Sequence, residues 1–293
     1  MLSSVRTEER VFDGSARGVR LHRRSVQPGA GQPVWARLGV LHGYGEHSGR
    51  HLPVMRWLAA RGVACHAIDF RGHGLASGRR GYVTRWGEFA DDLAAFLREL
   101  PVPDEHVSPA PPLFLLGQSH GGLVLAASVV RDRLPADGPP VAGSILSAPY
   151  FGSLLKVSRG QLFMAQVADR VLPWLPVRTH FQADWLFDDA PLRAEDAADT
   201  LSNQIATPRW YLSTRIAQAD VLARAANFRL PLLLLTGEDD PVADPAAALR
   251  FFEAAGSGDK TWRAYPGLRH EPLRDARREA VFEDLLRWLR ERV

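Results

Sequence analysis

Residues 112–122, PLFLLGQSHGG, decide the fold of this 293-residue chain. The apolar run at 112–117 is typical of a buried strand, and the residues from 120 onward have the pattern of a helix. The turn between them, Gly117-Gln118-Ser119-His120-Gly121, fits Gly-x-Ser-x-Gly, which holds a serine hydroxyl clear of a sheet. Glycine is needed two residues on either side because side chains there would clash in so sharp a turn. The segment therefore predicts that Ser119 is a nucleophile.

A nucleophilic serine needs a base to take its proton and an acid to orient that base. After a serine turn of this kind, the acid and then the histidine are expected at the ends of later strands. One strand-like run leads into Glu238, Asp239 and Asp240, and the next leads into His270. His270 is the only histidine beyond these acids. The residues predict His270 as the base and leave the three acids open.

The glycine-rich loop at 42–50, HGYGEHSGR, follows another strand-like run. We expect it to offer the backbone N–H of Tyr44 to a developing oxyanion, beside the unpaired N–H of His120 at the start of its helix. The loop lacks a GxGxxG match and a Walker lysine, which argues against a phosphate site. His47 and His51 are four residues apart, but no glutamate is placed as in HExxH, so a structural or solvent-facing role is expected for both.

Short apolar runs alternate with longer amphipathic ones, which predicts an α/β fold with a mostly parallel sheet covered by helices. The predicted strands are an N-terminal hairpin at 9–13 and 18–25, then 35–41, 63–69, 112–117, 141–147, 231–236 and 260–265. The predicted helices are 51–61, 85–99, 120–133, 244–255 and 276–291.

The alternation breaks between residues 152 and 228, where helical patterns occur without a convincing buried strand. Structureless loops of this length are rare in compact domains, so an inserted helical cap is expected. The predicted organisation is a first core part at 1–151, the cap at 152–228 and a second core part at 229–293. The cap includes an amphipathic segment at 157–172 with a wide apolar arc, which either packs on its own cap or faces lipid or substrate.

The composition argues against several other classes of protein. Apolar residues make up 46% and charged residues 24% of the chain, as in ordinary globular proteins. The net charge is only +3, and the arginines are scattered rather than clustered with aromatic residues, so no nucleic-acid partner is expected. The single cysteine, Cys65, cannot form an intramolecular disulfide or a cysteine-rich zinc module.

The first residues and the apolar runs of the chain predict its location in the cell. The first residues, MLSSVRTEERVF, carry charges where a signal peptide needs an apolar stretch. The longest apolar runs fall short of the ~20 residues that a membrane-spanning helix needs. We therefore expect a cytoplasmic protein, with peripheral contact to a membrane as a further option.

Taken together, HGYGEHSGRH, DFRGHGLASGRRGYV, GQSHGG, LLLLTGEDDPV and YPGLRHE resemble the monoacylglycerol lipase and lysophospholipase-like group of α/β-hydrolases, which includes the serine aminopeptidase type. The resemblance covers about residues 9–291. It implies the α/β-hydrolase fold, a mostly parallel eight-stranded sheet flanked by helices and carrying an inserted helical cap.

The resemblance also implies roles for individual residues. Ser119 matches the nucleophile, His270 the base, and Asp240 the acid, with Asp239 as the second choice. Tyr44 and His120 match the two residues whose N–H groups form the oxyanion hole.

Glu46 and Arg50 match polar residues that shape the pocket for the leaving alcohol in monoacylglycerol lipases. A purely structural ion pair explains them equally well. The sequence departs from the family pattern in two features, the serine turn and the second histidine. Gln118 and His120 stand where the family more often has GHSMGG, and Leu273 stands where monoacylglycerol lipases have a second, glycerol-binding histidine. Recognition of glycerol is therefore in question.

The expected function is that of a serine hydrolase that cleaves carboxylic esters through an acyl-enzyme, above all monoacylglycerol or lysophospholipid-type esters. No metal, nucleotide or other cofactor is expected. The expected partner is a small acyl ester, with a lipid surface as an option and no stable protein partner. The alternatives are an amidase, aminopeptidase or acyltransferase of the same fold and, in another class, a ligand-binding protein without activity.

Overall fold

The computed structural model describes residues 5–101, 110–179 and 182–293. The strands are β1 (Arg6–Asp13), β2 (Arg20–Gln27), β3 (Ala36–Leu41), β4 (Val63–Asp69), β5 (Leu113–Gln118), β6 (Val141–Ser147), β7 (Val177–Arg178), β8 (Ile205–Ala206), β9 (Leu232–Gly237) and β10 (Lys260–Tyr265). The α-helices are α1 (Leu52–Ala59), α2 (Gly87–Glu99), α3 (His120–Val130), α4 (Arg159–Val171), α5 (Ala190–Ala198), α6 (Pro208–Ala223), α7 (Pro245–Ala254) and α8 (Arg278–Arg290).

Eight of these strands form the central sheet, in the order β1-β2-β4-β3-β5-β6-β9-β10. Six strands of this sheet run parallel to one another: β4, β3, β5, β6, β9 and β10. Strands β1 and β2 form an antiparallel hairpin, and β2 pairs antiparallel with β4. The predicted mostly parallel eight-stranded sheet is confirmed.

Strands β3, β4, β5 and β9 are buried along their whole length, which explains why they read as continuous apolar runs. One layer of core, with α1 and α8, covers one face of the sheet, and a second, with α2, α3 and α7, covers the other. Helix α6 adds Trp210, Ala217 and Val221 to the second layer.

The predicted core strands and helices are all present, with ends shifted by three residues at most. The largest shift among the helices is in α3, predicted to reach residue 133 and ending at Val130. The chain leaves the helix there because Asp132 takes a left-handed backbone angle, with φ of 52°.

The serine turn between β5 and α3 is strained and closely packed. Ser119 has φ of 50° and ψ of −112°, a conformation that costs a non-glycine residue on the order of 1–3 kcal/mol. A Cβ on Gly117 would lie 2.6 Å from the Gly121 carbonyl oxygen, and one on Gly121 would lie 2.3 Å from the Leu41 oxygen. Both glycines are therefore required for the close approach of backbone segments, as the sequence predicts.

Residues 152–228, which we call the cap segment, contain α4, α5, α6 and the two-residue strands β7 and β8. The latter pair only with each other, so the described residues of this segment add no strand to the central sheet. The segment runs from the end of β6 to the start of β9. Its division from the core as a separate unit stays a prediction.

Across the described residues, the structure contains no helix that is both long and apolar enough to span a membrane.

Candidate active site

Three side chains at the carboxyl edge of the sheet form one hydrogen-bonded chain. The Oγ of Ser119 lies 2.8 Å from Nε2 of His270, and Nδ1 of His270 lies 2.8 Å from Oδ2 of Asp240. All three residues are buried, whereas Glu238 and Asp239 are exposed. When Nδ1–H donates to the carboxylate, Nε2 is free to accept the serine proton. The structure thus brings Asp240, of the three acids left open, to the histidine.

The loop after β9 fixes the Asp240 carboxylate. Its Oδ1 accepts hydrogen bonds from the backbone N–H groups of Val242, at 2.7 Å, and Ala243, at 3.0 Å. The other oxygen is left for His270, which follows the neighbouring strand β10. The two loops meet because parallel neighbours end at the same edge of the sheet.

Gln118 contacts the histidine loop, which we define as residues 266–271 after β10. Its Nε2 donates to the backbone oxygen of His270 at 2.9 Å, in a buried contact. The sequence offers Gln118 only as a departure from the family pattern, and nothing in the local sequence connects it with a residue 152 positions away.

The imidazole of His270 has opposing influences on its pKa. Burial alone would lower the pKa, but the charge and hydrogen bond of Asp240, with smaller contributions from Glu271 and Glu46, outweigh it and raise the pKa above the ordinary value. The arrangement therefore stabilises the imidazolium that forms when His270 takes a proton.

The predicted oxyanion donors are the backbone N–H groups of Tyr44, which lines the cavity with Ser119, and of His120, which follows Ser119 in the chain. Within the described part of the chain, neither N–H has a hydrogen-bond partner. The ring of His120 turns away into an aromatic box, with centroids 4.8 Å from Trp86 and 4.7 Å from Phe89. Burial keeps the pKa of His120 well below its ordinary value, so that ring stays neutral.

Glu46 and Arg50 both line the cavity that contains Ser119, but they form ion pairs with other residues. Glu46 pairs with His51 at 3.3 Å. Arg50 donates to Asp196 at 2.7 Å and to Glu271 at 3.1 Å. Burial would raise the pKa of Glu46, but His51 and neighbouring charges hold it well below the ordinary value, so this carboxylate is ionised.

His47 in the glycine-rich loop and His51 directly after that loop have structural partners. His47 lies 2.8 Å from Asp199 of the cap segment, and His51 pairs with Glu46. No cluster of three or more histidine, cysteine, aspartate or glutamate side chains suited to a metal ion occurs within residues 5–101, 110–179 and 182–293.

The cavity above Ser119 has a volume of about 740 Å³, within the usual range for small-molecule sites. Much of its lining is apolar or aromatic and comes from the cap segment, including Leu155, Val157, Leu186, Trp210 and Tyr211. Leu273 does not reach it: this side chain is 2% exposed and packs in the core layer with α1 and α8.

The profile of the family described as "Serine aminopeptidase, S33" matches residues 32–277. The chain belongs to this family. The predicted resemblance to monoacylglycerol lipase-like α/β-hydrolases is thereby confirmed.

Relatives in the family are similar along most of their length. The chain is 28% identical over 259 residues to phospholipase YtpA of Bacillus subtilis, covering 87% of this chain and 94% of the relative. It is 28% identical over 251 residues to the monoacylglycerol lipase of Mycolicibacterium smegmatis, covering 85% and 86%.

Solved structures share the fold. A soluble variant of the Saccharomyces cerevisiae monoglyceride lipase, in complex with a substrate analog, superposes with a TM-score of 0.86 at 21% identity, over 100% of this chain and 98% of that one. The monoacylglycerol lipase of Paleococcus ferrophilus gives a TM-score of 0.80 at 24% identity, over 93% and 99%. The predicted α/β-hydrolase fold is confirmed.

The geometry predicts how Asp240→Asn changes the titration of His270. With the carboxylate charge gone, burial dominates, so the pKa of His270 should fall from above ~6.5 to below it. The measurement is an NMR titration of the histidine ring protons in both proteins. His66, whose burial lowers its pKa to about 3, is the internal control and should stay neutral in both. An unchanged His270 pKa in Asp240→Asn would contradict this account.

Proposed function

We propose that this protein is a serine hydrolase of carboxylic esters, with monoacylglycerols and lysophospholipids as its substrate class. The observation that carries the proposal is the chain of hydrogen bonds from Asp240 through His270 to Ser119, which opens into a large and mainly apolar cavity. The names of the relatives, a phospholipase and monoacylglycerol lipases, support the same chemistry.

In the proposed first step, Oγ of Ser119 attacks the acyl carbon while Nε2 of His270 takes its proton. The carbonyl oxygen becomes negative and is bound by the N–H groups of Tyr44 and His120. Removing one donor of this kind would cost about 3 kcal/mol of transition-state stabilisation. The C–O bond to the alcohol then breaks, and the alcohol leaves with the proton from His270. An acyl-enzyme remains on Ser119.

In the proposed second step, water replaces the alcohol. His270 removes a proton from the water as it attacks the acyl carbon, the same N–H groups bind the oxyanion, and His270 returns the proton to Ser119 as the acid is released. Asp240 stays ionised and orients the imidazole throughout. The scheme uses no metal or other cofactor.

The acyl chain is proposed to lie against the apolar lining supplied by the cap segment. The alcohol is proposed to leave on the side of Glu46 and Arg50. Because Leu273 is buried in the core, the position that holds a second histidine in monoacylglycerol lipases supplies no group to the alcohol here.

The ion pairs favour esters over aminoacyl amides. An aminopeptidase needs a free carboxylate for the substrate ammonium. Of the carboxylates that line the cavity, Glu46 is paired with His51, and Asp196 and Glu271 are both paired with arginines. Within the described residues, two of these three cavity carboxylates are therefore neutralised by arginines, and the third lies 3.3 Å from an imidazole.

The cap segment is proposed to rest on a lipid surface. Ten of the fifteen most exposed large apolar side chains among the described residues lie between 154 and 177. Phe163 and Met164 on α4 are 62% and 63% exposed, and α4 has no buried residue. Concentrated exposure of this kind marks an interaction surface, and here it adjoins Val157 at the cavity.

Ser119→Ala should lower kcat for ester hydrolysis by about 10⁴- to 10⁶-fold without unfolding the protein. The assay is a panel of p-nitrophenyl esters of graded acyl length, a monoacylglycerol, a lysophospholipid and aminoacyl amides. Ser128→Ala is the matched control, because that buried hydroxyl bonds only to Val124 in α3. Retained activity in Ser119→Ala would refute the assignment of Ser119 as the nucleophile. Faster cleavage of amides than of esters would refute the proposed substrate class. Transfer of acyl groups to added glycerol in preference to water would indicate an acyltransferase.

The lipid-surface proposal predicts that the double variant Phe163→Ser, Met164→Ser binds phosphatidylcholine vesicles at least about tenfold more weakly than wild type. Full burial of one such apolar side chain contributes ~1.5–3 kcal/mol, and the variant loses part of this binding free energy at both positions. Sedimentation with vesicles measures the partition coefficient. Leu249→Ser, at an exposed position of α7, is the control and should bind like wild type. Equal binding by the double variant would contradict the proposal, whereas hydrolysis of a short soluble ester should be unchanged.

A further inference from the structure

One carboxylate of the cap segment joins two arginines from separate parts of the core. The side chain of Asp196, on α5, is only 9% exposed. Its Oδ2 accepts a hydrogen bond from Nη2 of Arg50 at 2.7 Å, and its Oδ1 accepts one from Nη2 of Arg274 at 2.8 Å. Arg50 lies in the short helical turn that ends the glycine-rich loop, and Arg274 follows the histidine loop.

The same two arginines meet again on Glu271, the residue after His270. Nη2 of Arg50 lies 3.1 Å from both carboxylate oxygens, and Nη1 of Arg274 lies 3.0 Å from one of them. The four side chains form a closed ring of two cations and two anions, each 3–9% exposed. Charges removed from water in this way are costly to leave unpaired, so the ring holds its members in one geometry.

This ring connects the two loops that the proposed reaction depends on. Arg50 is six residues after Tyr44, whose N–H is proposed to bind the oxyanion. Glu271 is adjacent to His270, the proposed base. In the ring, Asp196 is the member that comes from the cap segment, so the position of the cap is coupled to the distance between these loops.

Other contacts of the cap segment reach the glycine-rich loop. The N–H of Asn203 donates to the oxygen of Gly45 at 2.9 Å. The ring of Tyr44 stacks on Trp210, with centroids 3.6 Å apart and planes 25° apart, and its hydroxyl donates to the backbone oxygen of Ile205. The loop that carries one oxyanion donor therefore rests on the cap along several residues.

The histidine loop rests on the cap as well. The N–H of Glu271 donates to the oxygen of Leu186 at 2.8 Å, and that of His270 donates to the oxygen of Trp185 at 3.4 Å. Both backbone acceptors precede α5. The cap segment thus contacts each loop directly and joins the two through Asp196.

We infer that Asp196 is a positioning residue: through Arg50 and Arg274 it fixes the oxyanion donor of Tyr44 relative to His270. The inference rests on the proposed function. Because catalytic groups must lie within a fraction of an ångström of their working positions, loss of the bridge should act on the transition state more than on substrate binding.

The test is Asp196→Asn, which keeps the size of the side chain and removes its charge. We expect kcat for p-nitrophenyl butyrate to fall about 10- to 100-fold, with KM changed less than threefold. A trifluoromethyl ketone with a butyl chain, which forms a tetrahedral oxyanion and has no leaving alcohol, should bind more weakly by a similar factor. A residue that only contacts the alcohol would leave this affinity unchanged.

Asp220→Asn is the matched control. Asp220, on α6 of the cap segment, pairs with Arg131 next to α3 and, within the described residues, has no hydrogen bond or ion pair to either loop, so its loss should leave kcat and ketone affinity unchanged. If Asp196→Asn does not fold, as judged by its melting transition, Arg274→Lys replaces it. Lysine keeps the charge but cannot bond Asp196 and Glu271 with one planar fork, and kcat should fall at least threefold.

The outcomes separate the inference from the proposed function. The inference would be overturned by wild-type kcat and ketone affinity in a folded Asp196→Asn, or in Arg274→Lys when that variant replaces it. The proposed esterase function would still stand. Equal losses in Asp220→Asn would also overturn it, since any loosening of the cap would then suffice. A wild-type protein without activity on any ester would overturn the proposed function and the inference with it.

Discussion

The site depends on how closely helix α3 approaches the end of strand β3. The two backbones touch at Gly121, where a single methyl group would lie 2.3 Å from the Leu41 oxygen and 2.6 Å from the His42 oxygen. This contact brings the strained Ser119 and the start of α3 beside the loop that begins at His42. Because Gly121 has no side chain, Ser119 lies beside the two backbone segments whose N–H groups are proposed to bind the oxyanion. The free energy gained by packing the sheet and helices offsets the backbone strain at Ser119.

The cap segment and the core are held together by charge as well as by apolar contact. The cap side of the cavity supplies apolar lining, while Asp196 and Asp199 bring carboxylates to Arg50, Arg274 and His47. Glu46, Arg50, Asp196 and Glu271 line the cavity together with apolar and polar residues of the cap segment. The lining thus combines charged and apolar residues, as the proposed ester substrate requires for its alcohol and its acyl chain.

The sequence predicts the sheet, its helices and the central residues of the site because each has a local signal. Ser119 stands in a motif, and His270 is the only histidine after the acids. Asp240 could be separated from its two neighbours only by resemblance, since the choice depends on loop geometry. Two hydrogen bonds join residues far apart in the sequence: Gln118 to the His270 backbone, 152 positions away, and Arg274 to Asp196, 78 positions away. No local sequence pattern predicts them. The partners of Arg50, Asp196 and Glu271, are likewise 146 and 221 positions away in the sequence.

The central claim is that Ser119 is a nucleophile activated by His270. Its most direct measurement is the reaction of the folded protein with an alkyl fluorophosphonate, followed by peptide mass mapping. The account predicts one phosphonyl group per chain, attached to Ser119, and loss of this labelling in His270→Ala. An unmodified protein, or an adduct on a residue other than Ser119, would contradict the account and favour a protein that binds ligands without cleaving them.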